Sequence, residues 1–233
     1  MTKYLFILSF LILSSTTYAQ NYKFGKVSKS EVAQKQHDKD PDANAAILYK
    51  YQRTYYDYKQ NTGFFVVTEY HERIKIYNKD GFDWATHHIS AYKGGYEENV
   101  SGVRGVSYNL ENGKVEETKL DRKDIYENEA SKYRELTTFT MPAVKEGTVI
   151  EYEYKKISDR ITTSMDRINL QYTIPIDKLN ISVTIPEYLN FGVYNNPKAA
   201  FYAKINQGTK PFKRSFSNNQ RNSSYGGKVV SHS

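Results

Sequence analysis

Two acidic residues lie on one predicted strand with a spacing that resembles that of the two carboxyl groups of an inverting glycosidase. Glu151 and Glu153 share a face of the strand expected over 148–157, which places their Cα atoms about 7 Å apart. Inverting glycosidases hold their two carboxyl groups about 6.5–9.5 Å apart. Lys155 continues the same face, however, and apolar residues line the other, which is also typical of a half-exposed strand. Since no apolar pocket that would raise one carboxyl pKa is evident, we expect surface residues and keep a hydrolase as the alternative.

Two histidines could share a metal ion. If Tyr77 pairs with Phe82 across a predicted turn, His71 lies opposite His88, with Cβ atoms about 4.5–5.5 Å apart. That separation suits two imidazoles on one zinc ion. A shift of one pair would instead place Arg73 opposite His88, and no third ligand is evident. We therefore expect ordinary surface histidines and no cofactor, with the His71/His88 metal site as the alternative.

Tyrosine is unusually frequent, with 22 residues in the chain. Three tyrosines follow one face of a predicted strand over 46–58, together with Ile47, and two more follow 148–157: Tyr49, Tyr51 and Tyr55, then Tyr152 and Tyr154. We interpret them as packing between two sheets, with a platform for sugar rings or a partner protein as the alternative. Four tyrosines near the irregular middle of the chain are less tied to a core face, and we expect these to be contact residues: Tyr92, Tyr96, Tyr108 and Tyr126.

The composition excludes several kinds of chemistry. The chain of 233 residues contains no cysteine, which rules out a disulfide framework, a cysteine nucleophile and a thiolate metal site. Its formal net charge of +7 is spread along the chain in Lys/Glu alternations, which is typical of a solvated surface and argues against a nucleic-acid partner. The motifs of phosphate loops, dinucleotide sites, zinc proteases and serine-hydrolase elbows are absent.

The first nineteen residues have the layout of a secretory signal peptide. Lys3 precedes an apolar stretch over 4–13, and Thr17-Tyr18-Ala19 is a small-x-small cleavage signal. The apolar stretch is far shorter than the ~20 residues of a membrane span, so we expect no transmembrane segment in the mature chain. The sequence therefore predicts an exported protein of the periplasm or extracellular space that begins at Gln20.

One helix and a series of strands are expected after the leader. Ser28 and Glu31 form a capping box, which predicts a short helix over 28–37. The clearest strand is 64–77, where one face is apolar and the other carries four polar residues expected to face water: Glu69, His71, Arg73 and Lys75. Asn78 to Gly81 favours a tight hairpin turn, with the return strand over 84–92.

The remaining chain continues as strands and turns. A hairpin is expected over 100–120 around residues 111–113, with a bulge at 102–105, and 120–133 is expected to be partly helical. Further strands are expected over 135–141, 148–157, 169–174, 179–185, 199–205 and 212–216. Many strands without a long helical period indicate an all-β protein, an antiparallel two-layer β-sandwich with long hairpins and a short N-terminal helix.

This pattern predicts five segments. They are a signal peptide over 1–19, a helix and loop over 20–44, a main sandwich over 45–167, continuing strands or a small second β-unit over 168–216, and a disordered polar tail over 217–233. The tail is assigned as disordered because it is rich in Ser, Asn and Gly and has almost no apolar residues.

Several motifs resemble one bacterial family in the same order and spacing. They are Asp40-Pro41-Asp42-Ala43 and the stretches 73–81 (RIKIYNKDG), 100–115 (VSGVRGVSYNLENGKV), 139–154 (FTMPAVKEGTVIEYEY) and 171–191. Over residues 25–205 the chain is similar to the domain of unknown function 3857. That resemblance implies an all-β, non-catalytic module of exported proteins, which commonly precedes a transglutaminase-like domain with a Cys-His-Asp triad.

The resemblance carries a fold and a compartment to this chain but no catalytic residue. The chain stops before such a domain would begin and has no cysteine. We therefore expect a non-enzymatic binding or scaffolding module whose partner is a transglutaminase-like domain or another envelope protein. A carbohydrate- or peptide-binding module is the alternative, and a hydrolase that uses Glu151/Glu153 or a histidine metal site is a further one.

Overall fold

Strands dominate the chain. A computed structural model describes residues 22–59, 63–161, 166, 168–187, 189, 207–218 and 221–232, with side chains described up to residue 189. The elements in chain order are α1 (Lys29–Ala33), β1 (Ala45–Lys59), β2 (Gly63–Ile76), β3 (Thr86–Tyr92), β4 (Glu98–Glu111), β5 (Lys114–Lys119), β6 (Ile125–Ser131), β7 (Arg134–Thr140), β8 (Val149–Ser158), β9 (Leu179–Pro186), β10 (Gln207–Asn218) and β11 (Arg221–His232). Two 3-10 helices span Lys79–Ala85 and Arg122–Asp124.

The strands form two sheets, which confirms the all-β class and the two-layer arrangement. The large sheet has the order β10-β11-β9-β1-β2-β8-β4-β5, and the small sheet has the order β3-β7-β6. Neighbouring strands are antiparallel except β1 and β9, which run parallel from the pair Lys50/Leu179 to the pair Tyr55/Thr184. No helix in the described ranges has the length and apolar character of a membrane span.

Apolar side chains fill both sides of the large sheet. Between the sheets, Ile74 and Ile150 pack with Phe139 of the small sheet. On the other side, Val32 of α1 packs with Val149 of β8 and four further buried residues: Ala46, Leu48, Val106 and Tyr108. The large sheet is therefore covered on one face by the small sheet and on the other by the N-terminal segment that contains α1.

A bulge at Leu48 lets β1 serve both of these cores. Ile47 pairs with Ile74, but the next aligned pair is Tyr49 with Arg73, so the register shifts by one residue. An extra residue reverses the side-chain alternation beyond it. Ile47 therefore lies in the core between the sheets, whereas Tyr49 stacks on Tyr22 of the N-terminal segment. The prediction that Ile47 and Tyr49 share a face is wrong for this reason.

The predicted hairpin between 64–77 and 84–92 is also wrong. The residues after β2 form the 3-10 helix Lys79–Ala85 instead of a tight turn, and they carry the chain from the large sheet to the small one. Its first turn is capped by Asn78, whose side-chain oxygen accepts a hydrogen bond from the Asp80 amide. As a result, β2 pairs with β1 and β8, while β3 pairs with β7.

Other local predictions are confirmed. The capping box is present at Ser28 and Glu31, although the helix ends at Ala33. The second hairpin is β4 and β5, with Asn112 and Gly113 at φ values of 49° and 76°, as a two-residue hairpin turn requires. The expected bulge lies between Ser101 and Arg104, where the β4/β8 register shifts.

Two other local predictions fail, and one holds only in part. The segment over 120–133, expected to be partly helical, contains the 3-10 helix Arg122–Asp124, but residues 125–131 form strand β6. Residues 169–174 are not a strand. The tail expected to be disordered forms β11 over 221–232, because backbone pairing with β10 and β9 does not depend on apolar side chains. The predicted leader and the strand over 199–205 lie outside the described residues.

The crossing between the sheets depends on the absence of a side chain at Gly81. A Cβ atom there would lie 2.4 Å from the carbonyl oxygen of Asn44, which accepts the amide of Tyr77. We expect Gly81→Ala to lower the free energy of unfolding by about 1–3 kcal/mol, because the backbone must move to relieve the overlap. Chemical denaturation measures the change, with Asp80→Ala at the neighbouring exposed position as the control. Equal stability of Gly81→Ala and the wild type would contradict this close approach.

Candidate functional site

The polar face of β2 does not face water. His71, Arg73 and Lys75 are 8%, 0% and 0% exposed, because residues 22–27 and α1 lie over them. Lys75 Nζ donates to the carbonyl oxygens of Val32 and Gly147 at 2.7 and 2.6 Å. Burial lowers the pKa of Lys75 to about 8. The predicted wet face is therefore wrong: alternation identified one apolar face but could not show that a segment from elsewhere covers the polar one.

Glu151 is the centre of a buried ionic cluster, which we define as Glu31, His71, Arg73, Tyr108 and Glu151. Its Oε1 atom lies 2.8 Å from His71 Nε2 and accepts from Arg73 Nη2 at 2.7 Å. Its Oε2 atom accepts from the Gly25 amide at 2.8 Å and from the Tyr108 hydroxyl at 3.1 Å. Arg73 Nη1 in turn donates to Glu31 Oε1 at 2.8 Å. The cluster therefore ties the N-terminal segment to the centre of the large sheet.

The surroundings of Glu151 stabilise its charged form. Burial alone would raise the pKa of its carboxyl group, but the hydrogen bond from His71 and the charge and hydrogen bonds of Arg73 hold that pKa below its ordinary value. Glu153, two residues along, is half-buried and accepts from Arg104 Nε at 2.7 Å. Since Glu151 is 0% exposed, the two carboxyl groups do not flank one open cleft.

The two metal candidates lie in different sheets. His71 belongs to the ionic cluster, whereas His88 is exposed on β3, with Nδ1 3.0 Å from the Thr138 hydroxyl of β7. The predicted cross-strand pair of His71 and His88 is wrong because β2 and β3 do not form a hairpin. Within the ranges that the structure describes, no three His, Cys, Asp or Glu side chains are placed to hold a metal ion.

A second polar group lies between the sheets, and the sequence analysis missed it. Lys50 forms an ion pair with Glu72, and the Tyr152 hydroxyl donates to Glu72 at 2.6 Å. The rings of His87 and Tyr152 pack at a tilt, with centroids 3.9 Å apart. Burial lowers the pKa of His87 to about 4, so the ring is neutral near neutral pH. The signal was Glu72 itself, which lies on the apolar side of the β2 alternation and requires a buried partner.

The four predicted contact tyrosines do not form one group. Tyr108 is 1% exposed and belongs to the ionic cluster, so the prediction that it contacts a ligand is wrong. Tyr126 is 58% exposed on β6. Tyr92 and Tyr96 stack on each other with ring centroids 4.2 Å apart. Tyr92 also lies nearly parallel to Tyr133, at 6.3 Å, a tyrosine that was not among the predicted contact residues.

A guanidinium group extends this stack into what we call the aromatic column: Tyr133, Tyr92, Tyr96 and Arg160. The central carbon of the Arg160 guanidinium lies 4.7 Å from the Tyr96 ring centroid, which is cation–π geometry. The column borders an open cavity of about 500 Å³ lined by Gly94, Gly95, Tyr96, Asp159 and Arg160.

The loop between β3 and β4 positions the column. The backbones of Lys93 and Glu97 form an isolated antiparallel β-bridge. The Glu97 amide donates to Asp159 Oδ1 at 3.2 Å. Gly94 lies against two of the rings, since a Cβ atom at this position would be 2.6 Å from the Tyr92 hydroxyl and 2.7 Å from the Tyr133 ring. A side chain at position 94 would therefore displace the rings, so this glycine is a requirement of the stack.

A family model matches residues 66–219, which are more than half of the chain: Domain of Unknown Function with solved-structure structure (DUF3857). The chain belongs to this family. The match confirms the resemblance inferred from the motifs, although it begins later and ends later than residues 25–205. A comparison with curated proteins found no match.

Solved structures similar to this DUF3857 chain have little sequence identity with it. The crystal structure of a putative protease from Parabacteroides distasonis is 12% identical, with a TM-score of 0.51, over 81% of this chain and 35% of that one. An M1 zinc metallopeptidase from Deinococcus radiodurans is 9% identical, with a TM-score of 0.30, over 86% and 41%. A putative nutrient binding protein from Legionella pneumophila is 9% identical, with a TM-score of 0.24, over 49% and 40%. This chain spans about a third to two fifths of these proteins.

The two glutamates on β8 should differ sharply in their effect on stability. We expect Glu151→Gln to lower the free energy of unfolding by about 3–5 kcal/mol at neutral pH, because Arg73 would lose its central partner inside the protein. Glu153→Gln removes an exposed ion pair from the same face and should cost less than about 1 kcal/mol. Urea denaturation of both variants measures the difference, and equal effects would contradict the central role of Glu151.

The effect of Glu151→Gln should also depend on pH. The pKa of Glu151 is lower in the folded chain than its ordinary value of 4.5, so the stabilisation is present above that value and is lost as the pH falls through the folded pKa. The stability difference between wild type and Glu151→Gln should therefore narrow in acid, while Glu153→Gln remains close to the wild type throughout. A difference that stays constant below pH 4.5 would contradict the lowered pKa.

Proposed function

We propose that this chain is a non-catalytic, exported module that binds a ligand or partner protein at the aromatic column. The observation that carries this proposal is the column itself: three near-parallel tyrosines and one arginine beside an open cavity of about 500 Å³. Tyrosine and arginine are the side chains that most often dominate binding surfaces. Stacking also fixes their positions before a ligand arrives, so little side-chain freedom is lost on binding.

The state of the buried ionisable groups supports a binding role. Catalytic acids and bases need shifted pKa values together with access to a substrate. Glu151 and Lys75 have shifted pKa values but are 0% exposed, and each is bonded to partners inside the protein. These shifts are accounted for by packing and ion pairing, so they give no reason to assign acid–base chemistry to these residues.

The setting of the module is the cell envelope or the extracellular space. Support comes from the secretory layout of residues 1–19. The Parabacteroides structure with the same fold is a putative protease, and this chain corresponds to 35% of it. A module of this size would hold a substrate or partner beside a catalytic domain, and the family resemblance points to a transglutaminase-like domain as that partner.

Glycan and peptide arrays probed with the purified exported chain test this proposal. We expect Tyr96→Ala to weaken the strongest interaction about tenfold or more, because it removes the ring that joins Tyr92 to Arg160. Tyr96→Phe keeps the ring and should bind within a few-fold of the wild type. Fluorescence anisotropy with the labelled array ligand gives the affinities.

Two controls separate binding from folding. Leu110→Ala shortens a side chain that is 38% exposed on β4 of the large sheet and should leave binding unchanged. Tyr126→Ala tests the separate exposed tyrosine on β6. If Tyr96→Ala binds every array ligand as the wild type does while remaining folded by circular dichroism, the aromatic column is not the binding site.

A further inference from the structure

The geometry points to a peptide segment bearing Asp or Glu side chains as the ligand of the aromatic column, with Arg160 as the residue that selects the carboxylate. This inference rests on the proposed function and adds the ligand class. It depends on three features of the column: the covered ring of Tyr96, the available guanidinium group and the local balance of charge.

The ring of Tyr96, which lines the cavity, is covered by Tyr92 and by Arg160. Tyr92 stacks on Tyr96 at 4.2 Å and lies parallel to Tyr133 at 6.3 Å. Arg160 covers Tyr96 at 4.7 Å, and Lys132 Nζ lies 5.2 Å from the Tyr133 centroid. A sugar ring would need an open aromatic face on which to stack. The column instead offers ring edges and hydroxyl groups, which suit the amides and side chains of a peptide.

The guanidinium of Arg160 is available to a ligand. Arg160 is exposed, and among the described residues it forms no ion pair with a carboxylate. The group lies over the Tyr96 ring and Arg160 lines the cavity, which places its N–H donors within reach of a ligand there. A planar fork of donors matches a carboxylate with two parallel hydrogen bonds, whereas an ammonium group offers only a point charge.

The exposed charges around the cavity balance, so a carboxylate would be held by the Arg160 guanidinium itself and not by a positive patch. Asp159 is the acidic residue in the cavity lining, and one of its oxygens already accepts from the Glu97 amide. Lys93 is paired with Glu135 at 2.8 Å. Glu97 adds one exposed carboxylate to the loop, against Arg160 and Lys132 at the two ends of the column. The chain as a whole carries +7, which steers acidic partners toward it.

Paired peptides test the ligand class. Short synthetic peptides are arrayed in two versions that differ only by glutamate or glutamine, and the affinities of the best pair are measured by fluorescence anisotropy. We expect the glutamate version to bind about tenfold more tightly, since a charge-assisted pair of hydrogen bonds is lost in the amide. The preference should shrink as salt is raised. Equal binding of the two versions would overturn the inference.

Substitutions of Arg160 test the residue. Arg160→Gln should remove the preference for glutamate, and Arg160→Lys should restore only part of it because lysine lacks the planar fork. Arg122→Gln, which removes an exposed arginine from the 3-10 helix Arg122–Asp124, is the matched control and should keep the full preference. A preference that survives Arg160→Gln would assign the carboxylate to another residue and overturn the inference.

An oligogalacturonate arm distinguishes this inference from the proposed function. If that acidic saccharide binds, loses affinity in Tyr96→Ala, and no peptide binds, the ligand class is wrong while the aromatic column remains the binding site. If peptides bind with full glutamate preference but Tyr96→Ala does not weaken them, the proposed function fails, because the column then makes no contribution.

Discussion

The ion pair between Arg73 and Glu151 is the constraint on which the rest of the fold depends. Both side chains are 0% exposed, and the carboxylate also engages His71, Tyr108 and the Gly25 amide. A charge in a protein interior is tolerated only when opposing charges and hydrogen bonds surround it. The N-terminal segment must therefore lie over the large sheet, since it supplies the Gly25 amide and the Glu31 carboxylate. Its position is set by this polar requirement together with the apolar contacts of Val32.

The local structure was predictable wherever it depends on neighbouring residues. The capping box at Ser28, the β4–β5 turn at Asn112 and the bulge near Gly102 all follow from side-chain chemistry within a few positions. The strand bounds of β1, β2 and β8 follow in the same way from period-two alternation. The order and spacing of several such stretches also gave the family.

Long-range placement was not predictable from alternation. Alternation along β2 predicts that its polar face is exposed. The sequence of one strand cannot show that residues 22–33 cover that face. The reversal of β1 at Leu48 and the crossing at Gly81 depend on packing against Ile74 and Asn44, which are distant in sequence. For the candidate site, Tyr92 and Tyr96 were found from composition and position. Tyr133 and Arg160 were not found, because the turn between β6 and β7, the loop between β3 and β4 and the end of β8 meet only in the folded chain.

The separation of the ionic partners along the chain also bears on the order of folding. Gly25 and Glu151 are 126 positions apart, and Arg73 and Glu151 are 78 apart. A ribosome makes the N-terminal segment first, so the Gly25 amide has no carboxylate partner until β8 has emerged. Contacts between residues so far apart in sequence slow the folding reaction, and these contacts form late in it. A nascent chain of this kind would carry Arg73 and Lys75 in water until nearly two thirds of its length is made, and only then bury them in the interior.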